Sequence, residues 1–368
     1  MRIKTINVCT TSLPVKGGVY RMASTDVQSL DSTLVEIVTD EGLVGWGETC
    51  PVGPVYQPHH ALGARAAIDE IAPGLIGQEV SSIRHLAKTM DERLNGHGYA
   101  KAAFDIVFLD LLGQHLGVPV STLLGGALTD RVPSYYSLIV GPPDETARIA
   151  ADKVKAGYPR LQIKIAGRNL EEDVATLHKV WEAVGYKARI AVDGNRGLTV
   201  TSAIHLDRLC QAIPFVFEQP CNTMEEVATL KGRVTHPVYL DENTEDLNAV
   251  LRAISAGIAD GFGLKVTRLG GLTKMTTVRD LCAIRSLPHT CDDAWGGDII
   301  AAACVHLAAT VEPRRMEGAW IAQEYIKGHF DAKNPIVIEN GHIAVPQRPG
   351  LGVKPEPGMF GQPVATYA

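Results

Sequence analysis

A chain of 368 residues and 39.5 kDa, with 45% hydrophobic and 21% charged residues, has the apolar material for a large core and too little charge for a disordered chain. Its 35 basic and 41 acidic residues give a net charge of −6 without long runs of one sign, so it lacks the electrostatic footprint of a nucleic-acid or anionic-membrane binder. A small-molecule partner is expected. The seven cysteines are odd in number, scattered and without CxxC spacing, which argues against a disulfide framework or a zinc site. The opening MRIKTINVCTTSLPV has no apolar run of signal length, and no later stretch reaches spanning length. A cytoplasmic location is the default expectation.

Residues 3–10, 32–39 and 43–49 alternate with period two, and the last pair meets at Asp40-Glu41-Gly42, which predicts three antiparallel strands with a hairpin. Helical periodicity follows at 60–71, 82–94 and 99–115, the last stopping at Gly117 and Pro119. His59 and His60 read as the start of the first of these helices. From about Val132 a short apolar strand ending in a polar or acidic residue, then an amphipathic helix, repeats. Strands are predicted at 132–138, 160–165, 189–193, 215–218, 238–241, 261–266, 288–292 and 314–320. Eight such strands close a parallel barrel. The spacing supports it: Lys164, Asp193, Glu218, Asp241, Lys265, Asp292 and Glu317 follow one another at steps of 23 to 29 residues, one strand–helix unit each. An open doubly wound sheet would carry a glycine-rich phosphate turn, and no GxGxxG is present. The expected division is an α+β cap over 1–125, a barrel over 126–339, and a Pro- and Gly-rich tail, 340–368, that returns to the cap with a strand at 343–345.

Parallel barrels build their sites at the C-terminal ends of the strands. Asp193 in AVDGN, Glu218 in FVFEQP and Asp241 in VYLDEN end consecutive strands and converge on one rim. One such acid alone caps a helix or pairs with a base; three together repel unless a cation lies between them. Oxygen-only ligation suits a hard ion such as Mg²⁺. Lys164 in LQIKIAG and Lys265 in GFGLKVTRLGG fall on the second and sixth strands, on opposite sides of the ring. That placement suits proton transfer at two faces of one carbon, with neighbouring positive charge pulling an ammonium toward neutral pH.

These five residues, behind a cap containing GLVGWGE, resemble the enolase superfamily and within it the muconate lactonizing enzyme subgroup, over essentially the whole chain. The resemblance implies a modified TIM barrel, (β/α)7β, with an N-terminal α+β capping domain. It also implies one Mg²⁺ per subunit held by Asp193, Glu218 and Asp241, α-proton abstraction by Lys164 or Lys265, and a homo-oligomer. The subgroup's usual Lys-x-Lys is here Gln162-x-Lys164, which removes a charge beside the acid/base lysine. CPVGP, LQIKI, DGNRG, FEQPCNT, DGFG and CDDAWGGDI are similar to the branch acting on proline derivatives, which contains hydroxyproline betaine 2-epimerases and a cis-3-hydroxy-L-proline dehydratase with 2-epimerase activity.

The remaining rim residues bear on the substrate. Asp292 and Asp293, with Glu317 and Trp320 on the last strand, suggest that a cationic group is held there, and Trp320 and Tyr56 offer aromatic faces to it. The loop KGGVYRMASTDVQSL reads as a specificity lid bringing Tyr20 and Asp26 to the site. A quaternary betaine needs aromatic faces, whereas a secondary ammonium also needs acceptors. The betaine epimerases carry Trp where this lid has Gln28, which favours a free hydroxyproline. Two alternatives are a betaine 2-epimerase (racemase) and a non-catalytic binding barrel; the second would have lost a metal acid or both lysines, and all five are present. A dipeptide epimerase or cycloisomerase is set apart by Gln162 and the Asp292-Asp293 pair.

Overall fold

The computed structural model describes residues 1–22, 26–293 and 295–368. Its N-terminal part is a four-stranded antiparallel sheet in the order Ala365–Tyr367, Ile3–Pro14, Ser29–Thr39, Val44–Thr49. The last strand of the chain lies at the edge of this sheet, pairing Tyr367 with Ile6 and Ala365 with Val8. One sheet face, with Ile6, Val8, Val35 and Ile37, packs on helices Ala61–Ile71, Ile83–Arg93 and Gly98–Leu116 through Ile68, Leu86, Phe104 and Phe108. His60 caps the first helix, its Nδ1 accepting from Gly63 N at 3.1 Å. GLVGWGE has a steric reason. A Cβ on Gly47 would stand 1.8 Å from Ala103 O, so only glycine lets the third helix lie against the last strand.

The second part is an eight-stranded parallel sheet in sequential order: Tyr136–Leu138, Arg160–Lys164, Arg189–Asp193, Val216–Glu218, Val238–Leu240, Gly261–Phe262, His289–Thr290, Met316–Gly318. It curls until a parallel bridge between Ser134 and Ala319 links last strand to first. The expected strand 132–138 is in fact two elements. Arg131–Pro133 pairs with His342–Ala344, which pairs in turn with Ile338–Glu339 in a separate three-stranded sheet, and only Tyr136–Leu138 enters the barrel. The sixth strand is also shorter than 261–266. Lys265 caps the short helix Val266–Leu269 and keeps its rim position through a bridge to Asp292.

Buried carboxylates join the two parts. Glu48 accepts from Gly297 N at 2.7 Å and Ile300 N at 3.2 Å, at the start of helix Asp298–Ala308. Asp105 accepts from Thr273 N at 2.9 Å at the start of helix Leu272–Arg285. Asp110 accepts from Trp46 N at 3.0 Å and Leu351 N at 2.8 Å. The first two satisfy N–H groups at helix starts, and Asp110 satisfies one strand and one loop N–H, groups that would otherwise be stranded away from water. No helix among the described residues is long and apolar enough to cross a membrane.

Candidate active site

Strand register builds the site. Lys164 lies opposite Asp193, and Asp193 opposite Glu218, so three neighbouring strands end level with one another. Asp241 follows the next strand. One carboxylate oxygen from each of Asp193, Glu218 and Asp241 lies within 4.8 Å of the others, and all three residues are buried. Lys164 Nζ pairs with Asp193, and Lys265 Nζ stands 3.0 Å from Asp241 Oδ2. Arg268, also buried, reaches Asp241 Oδ1 at 2.7 Å and is held by Thr244 and the Gly263 carbonyl. Gln162 Nε2 donates to Glu218 Oε1 at 3.0 Å.

The electrostatics follow from crowding in a dry place. Burial, then the field of Asp193, pushes Glu218 up to about 7. Burial, then Asp241 and Asp193, pushes Glu242 up to about 8. Burial also opposes the ionised form of Asp241, but Lys265 and Arg268 outweigh it and hold that carboxyl below its ordinary value. For both lysines burial is the largest influence and pulls the pKa down, but the surrounding acids together, Asp193 and Glu218 at Lys164 and Asp241, Asp292 and Glu218 at Lys265, outweigh it and the net shift is upward.

The donor set fits a hard divalent cation. The cluster is all oxygen, and two further buried acceptors nearby, Asn195 Oδ1 and Glu242 Oε2, have no hydrogen-bond partner. Asn195 is tied to both sides of the cluster, its N donating to Asp193 Oδ1 at 2.8 Å and its Nδ2 to Glu242 Oε1 at 3.0 Å. Oxygen-rich cages of this kind select magnesium-class ions over zinc.

Comparison with known proteins agrees with this architecture. Residues 4–125 match the family "Mandelate racemase / muconate lactonizing enzyme, N-terminal domain", and residues 145–359 match "Enolase C-terminal domain-like". The chain belongs to this family of the enolase superfamily, and it is an enzyme acting on small molecules. It is 37% identical to a cis-3-hydroxy-L-proline dehydratase of Roseibium aggregatum over the full length of both chains. It is 27% identical to an L-Ala-D/L-Glu epimerase of Clostridium acetobutylicum over 96% of this chain and 99% of that one. A solved enolase-superfamily member from Roseovarius nubinhibens, complexed with magnesium, superposes with a TM-score of 0.94 at 33% identity, covering 100% of this chain and 99% of that one.

Within this enolase-superfamily frame the lid and rim line a small cavity of about 40 Å³. Tyr20, Met22, Val52 and Tyr56 line it from the cap, and Gln162, Lys164, Asp241, Lys265, Asp293 and Trp320 from the barrel. Tyr20 OH donates to Ser137 Oγ at 2.9 Å, which donates to Gln162 Oε1 at 2.9 Å, so the lid connects through Gln162 to Glu218. Tyr56 OH approaches Asp241 Oδ2 at 3.4 Å. Asp293 accepts from Thr267 N at 3.0 Å and Thr267 Oγ1 at 2.8 Å.

Three expectations are corrected. Asp26 does not reach the cavity: in its hairpin Tyr20 pairs with Val27 on the buried side, and Arg21 with Asp26 on the exposed side. Asp292 is buried behind the rim, accepting from Trp320 N at 2.7 Å and Tyr135 OH at 2.8 Å, so it orients the wall and does not face the cavity. Glu317 points into the barrel floor, 2.9 Å from Arg189.

Trp295, Tyr135, Ser137 and Arg268 also build the site, as does Tyr325, which stacks on Trp320 at 5.2 Å, and the sequence pattern alone gives none of them a role. Trp295 lay within CDDAWGGDI, and Arg268 three residues after Lys265 in KVTRLGG, one helical turn along the short helix. Tyr135 and Ser137 bracket the start of the first barrel strand, where alternation marks inward positions.

Proposed function

We propose that this enzyme is a magnesium-dependent cis-3-hydroxy-L-proline dehydratase with competing 3-hydroxyproline 2-epimerase activity. The carrying observation is that Lys164 and Lys265, from the second and sixth strands, line one cavity beside a buried all-oxygen triad. The full-length likeness to the Roseibium dehydratase supports the substrate class.

In this reading Asp193, Glu218 and Asp241 hold one Mg²⁺. When bound, the ion supplies charge stabilisation to the substrate carboxylate as negative charge develops there. One lysine removes the Cα proton. Return of a proton to Cα from the opposite lysine gives the 2-epimer. Loss of the 3-hydroxyl instead gives an enamine that tautomerises to Δ1-pyrroline-2-carboxylate, so the net change is substrate to imine plus water. Dehydration drains the pool because epimerisation is reversible. Asp293 and the aromatic wall around Trp320 take the ring nitrogen, and Tyr56 and the lid exclude water. The cap at 1–125, with the tail at 340–368, closes over the catalytic barrel at 126–339.

A second reading, a betaine 2-epimerase, draws on the aromatic cluster: Trp320 lies 5.4 Å from Trp295, and Tyr20 lies 5.2 Å from Trp295. Faces of this kind suit a quaternary ammonium. Proton-exchange NMR in D₂O with Mg²⁺ separates the two, using cis-3-hydroxy-L-proline, trans-4-hydroxy-L-proline betaine and proline betaine. Exchange with loss of the 3-hydroxyl is expected for the first. Exchange without that loss leaves an epimerase, and no exchange with any of them defeats the substrate assignment.

A further inference from the structure

The three acids of the triad do not share their cations evenly. Asp193 pairs with Lys164, and Asp241 pairs with both Lys265 and Arg268. Glu218 pairs with neither lysine. Among the described residues its ion pair is with Arg160, whose Nη2 stands 3.4 Å from Glu218 Oε2. Arg160 comes from below. In the strand Arg160–Lys164 the residues 160, 162 and 164 face the barrel interior at successive levels, about 6.5 Å apart. Arg160 occupies the lowest level and is 1% exposed. Its Nε lies 3.6 Å from Glu317 Oε2, and its guanidinium carbon lies 4.4 Å from the centre of the Tyr135 ring.

A guanidinium so deep in a barrel persists only where its charge is matched by acids. Glu317 could match it alone as part of the floor. The fork instead spans two acids on different strands, Glu317 on the last and Glu218 on the fourth, which a point-charge lysine would do poorly. The next level up carries the neutral Gln162, so the cation beneath Glu218 is Arg160. We propose that Arg160 is a positioning residue that fixes the Glu218 carboxylate in its metal-facing orientation, supplying from the barrel interior the positive charge that Gln162 does not carry. The inference rests on reading the triad as the magnesium site.

Titration calorimetry with Mg²⁺ alone tests it on wild type, Arg160→Met, Arg160→Lys and the double variant Arg160→Met/Glu317→Gln, alongside kcat and KM. Loss of a partner behind a metal ligand is expected to weaken Mg²⁺ binding about 10- to 100-fold in Arg160→Met, with Arg160→Lys recovering part of it. The double variant removes buried Arg160 and its Glu317 partner together and in the floor leaves only Arg189, half exposed to water, without its carboxylate, so it is expected to fold even where Arg160→Met does not, and still to bind Mg²⁺ weakly. Wild-type affinity in Arg160→Met, or its return in the double variant, would overturn the proposal, because Arg160 would then serve Glu317 alone. Absence of Mg²⁺ binding by the wild type would remove the metal reading itself, and this inference with it.

Discussion

The joint between cap and barrel and the rim of the barrel are both built from buried carboxylates, yet they solve the burial problem in opposite ways. At the joint, Glu48 accepts from Ser32 Oγ, Gly297 N and Ile300 N, all neutral donors. At the rim, Glu218 faces Arg160, Gln162 and two other acids. Burial pushes both groups up to about 7. Hydrogen bonds to Ser32, Gly297 and Ile300 oppose the shift at Glu48, whereas Asp193 adds to it at Glu218. A raised acid is therefore not by itself a mark of chemistry. The nature of its neighbours separates a structural carboxylate from one that needs a cation.

The strongest way to break that contrast is to remove an ammonium at the rim. Lys164→Ala or Lys265→Ala is expected to lower epimerisation by about 10²- to 10⁴-fold, the usual contribution of a positioned acid or base. Exchange of one enantiomer's Cα proton should survive in each, because the opposite lysine remains. Chiral analysis of the exchange in D₂O checks this, and equal loss for both enantiomers in both variants would argue against two-faced transfer. Glu48→Ala is expected to reduce the folded fraction and leave kcat per folded molecule unchanged.

Magnesium sharpens the comparison from the other side. At 100 times its dissociation constant the ion should raise stability by about 2.7 kcal/mol if it binds the folded chain alone. Thermal melts should show that gain in wild type and in Glu48→Gln, and should lose it in Glu218→Gln.

Much of this contrast was legible in sequence at the rim and almost none of it at the joint. Asp193, Glu218 and Asp241 each end a strand of a repeating unit, so period and position announce them. Glu48 also lies at the end of a strand, but its two barrel partners lie some 250 residues away, at a helix start that no local pattern connects to it. Asp26 failed for a related reason. The lid segment was legible as a loop, but which side of its hairpin faces inward depends on pairing Arg21 with Asp26, and a one-residue change of register reverses it. Asp292 and Asp293 are adjacent and chemically identical, and only the bridge between Lys265 and Asp292 turns the first behind the wall. Arg160 opens the strand RLQIK in step with Gln162 and Lys164, so its period-two position already places it on their side of the strand.

The joint should also show itself in the pH dependence of stability. Glu48 has its pKa raised from 4.5 to about 7, and Asp110 from 3.8 to about 6, both chiefly by burial. Between the unfolded and folded values the native chain holds a proton that the unfolded chain has lost. The contribution of these two carboxyls to stability therefore falls as pH rises through that window and is gone above about 7, against the opposite slope of half-buried His59 and of buried His289 and His306, each held down to about 4 by burial. For Glu48 the limit is about 3 kcal/mol, taking about 1.36 kcal/mol per pH unit. Melts between pH 5 and 8 in saturating Mg²⁺ should show the stability difference between wild type and Glu48→Gln shifting against wild type as pH rises, the slope of the variant lacking the Glu48 contribution. An unchanged slope in that variant would mean that the joint carboxylate stays ionised throughout.

The smallest effect is expected on the lid, where two residues of one hairpin are set against each other. Asp26 and Arg21 are 56% and 65% exposed and 3.7 Å apart, a surface pair worth about 0–1 kcal/mol. Tyr20, on the buried side, carries the hydrogen bond that leads through Ser137 and Gln162 to Glu218. Asp26→Ala should leave kcat, KM and the melting temperature essentially at wild-type values, whereas Tyr20→Phe should raise KM with little loss of stability. Steady-state kinetics on the two variants side by side make the check. A KM increase in Asp26→Ala as large as that in Tyr20→Phe would mean that the hairpin turns its other side inward when substrate is bound, and Asp26 would rejoin the site.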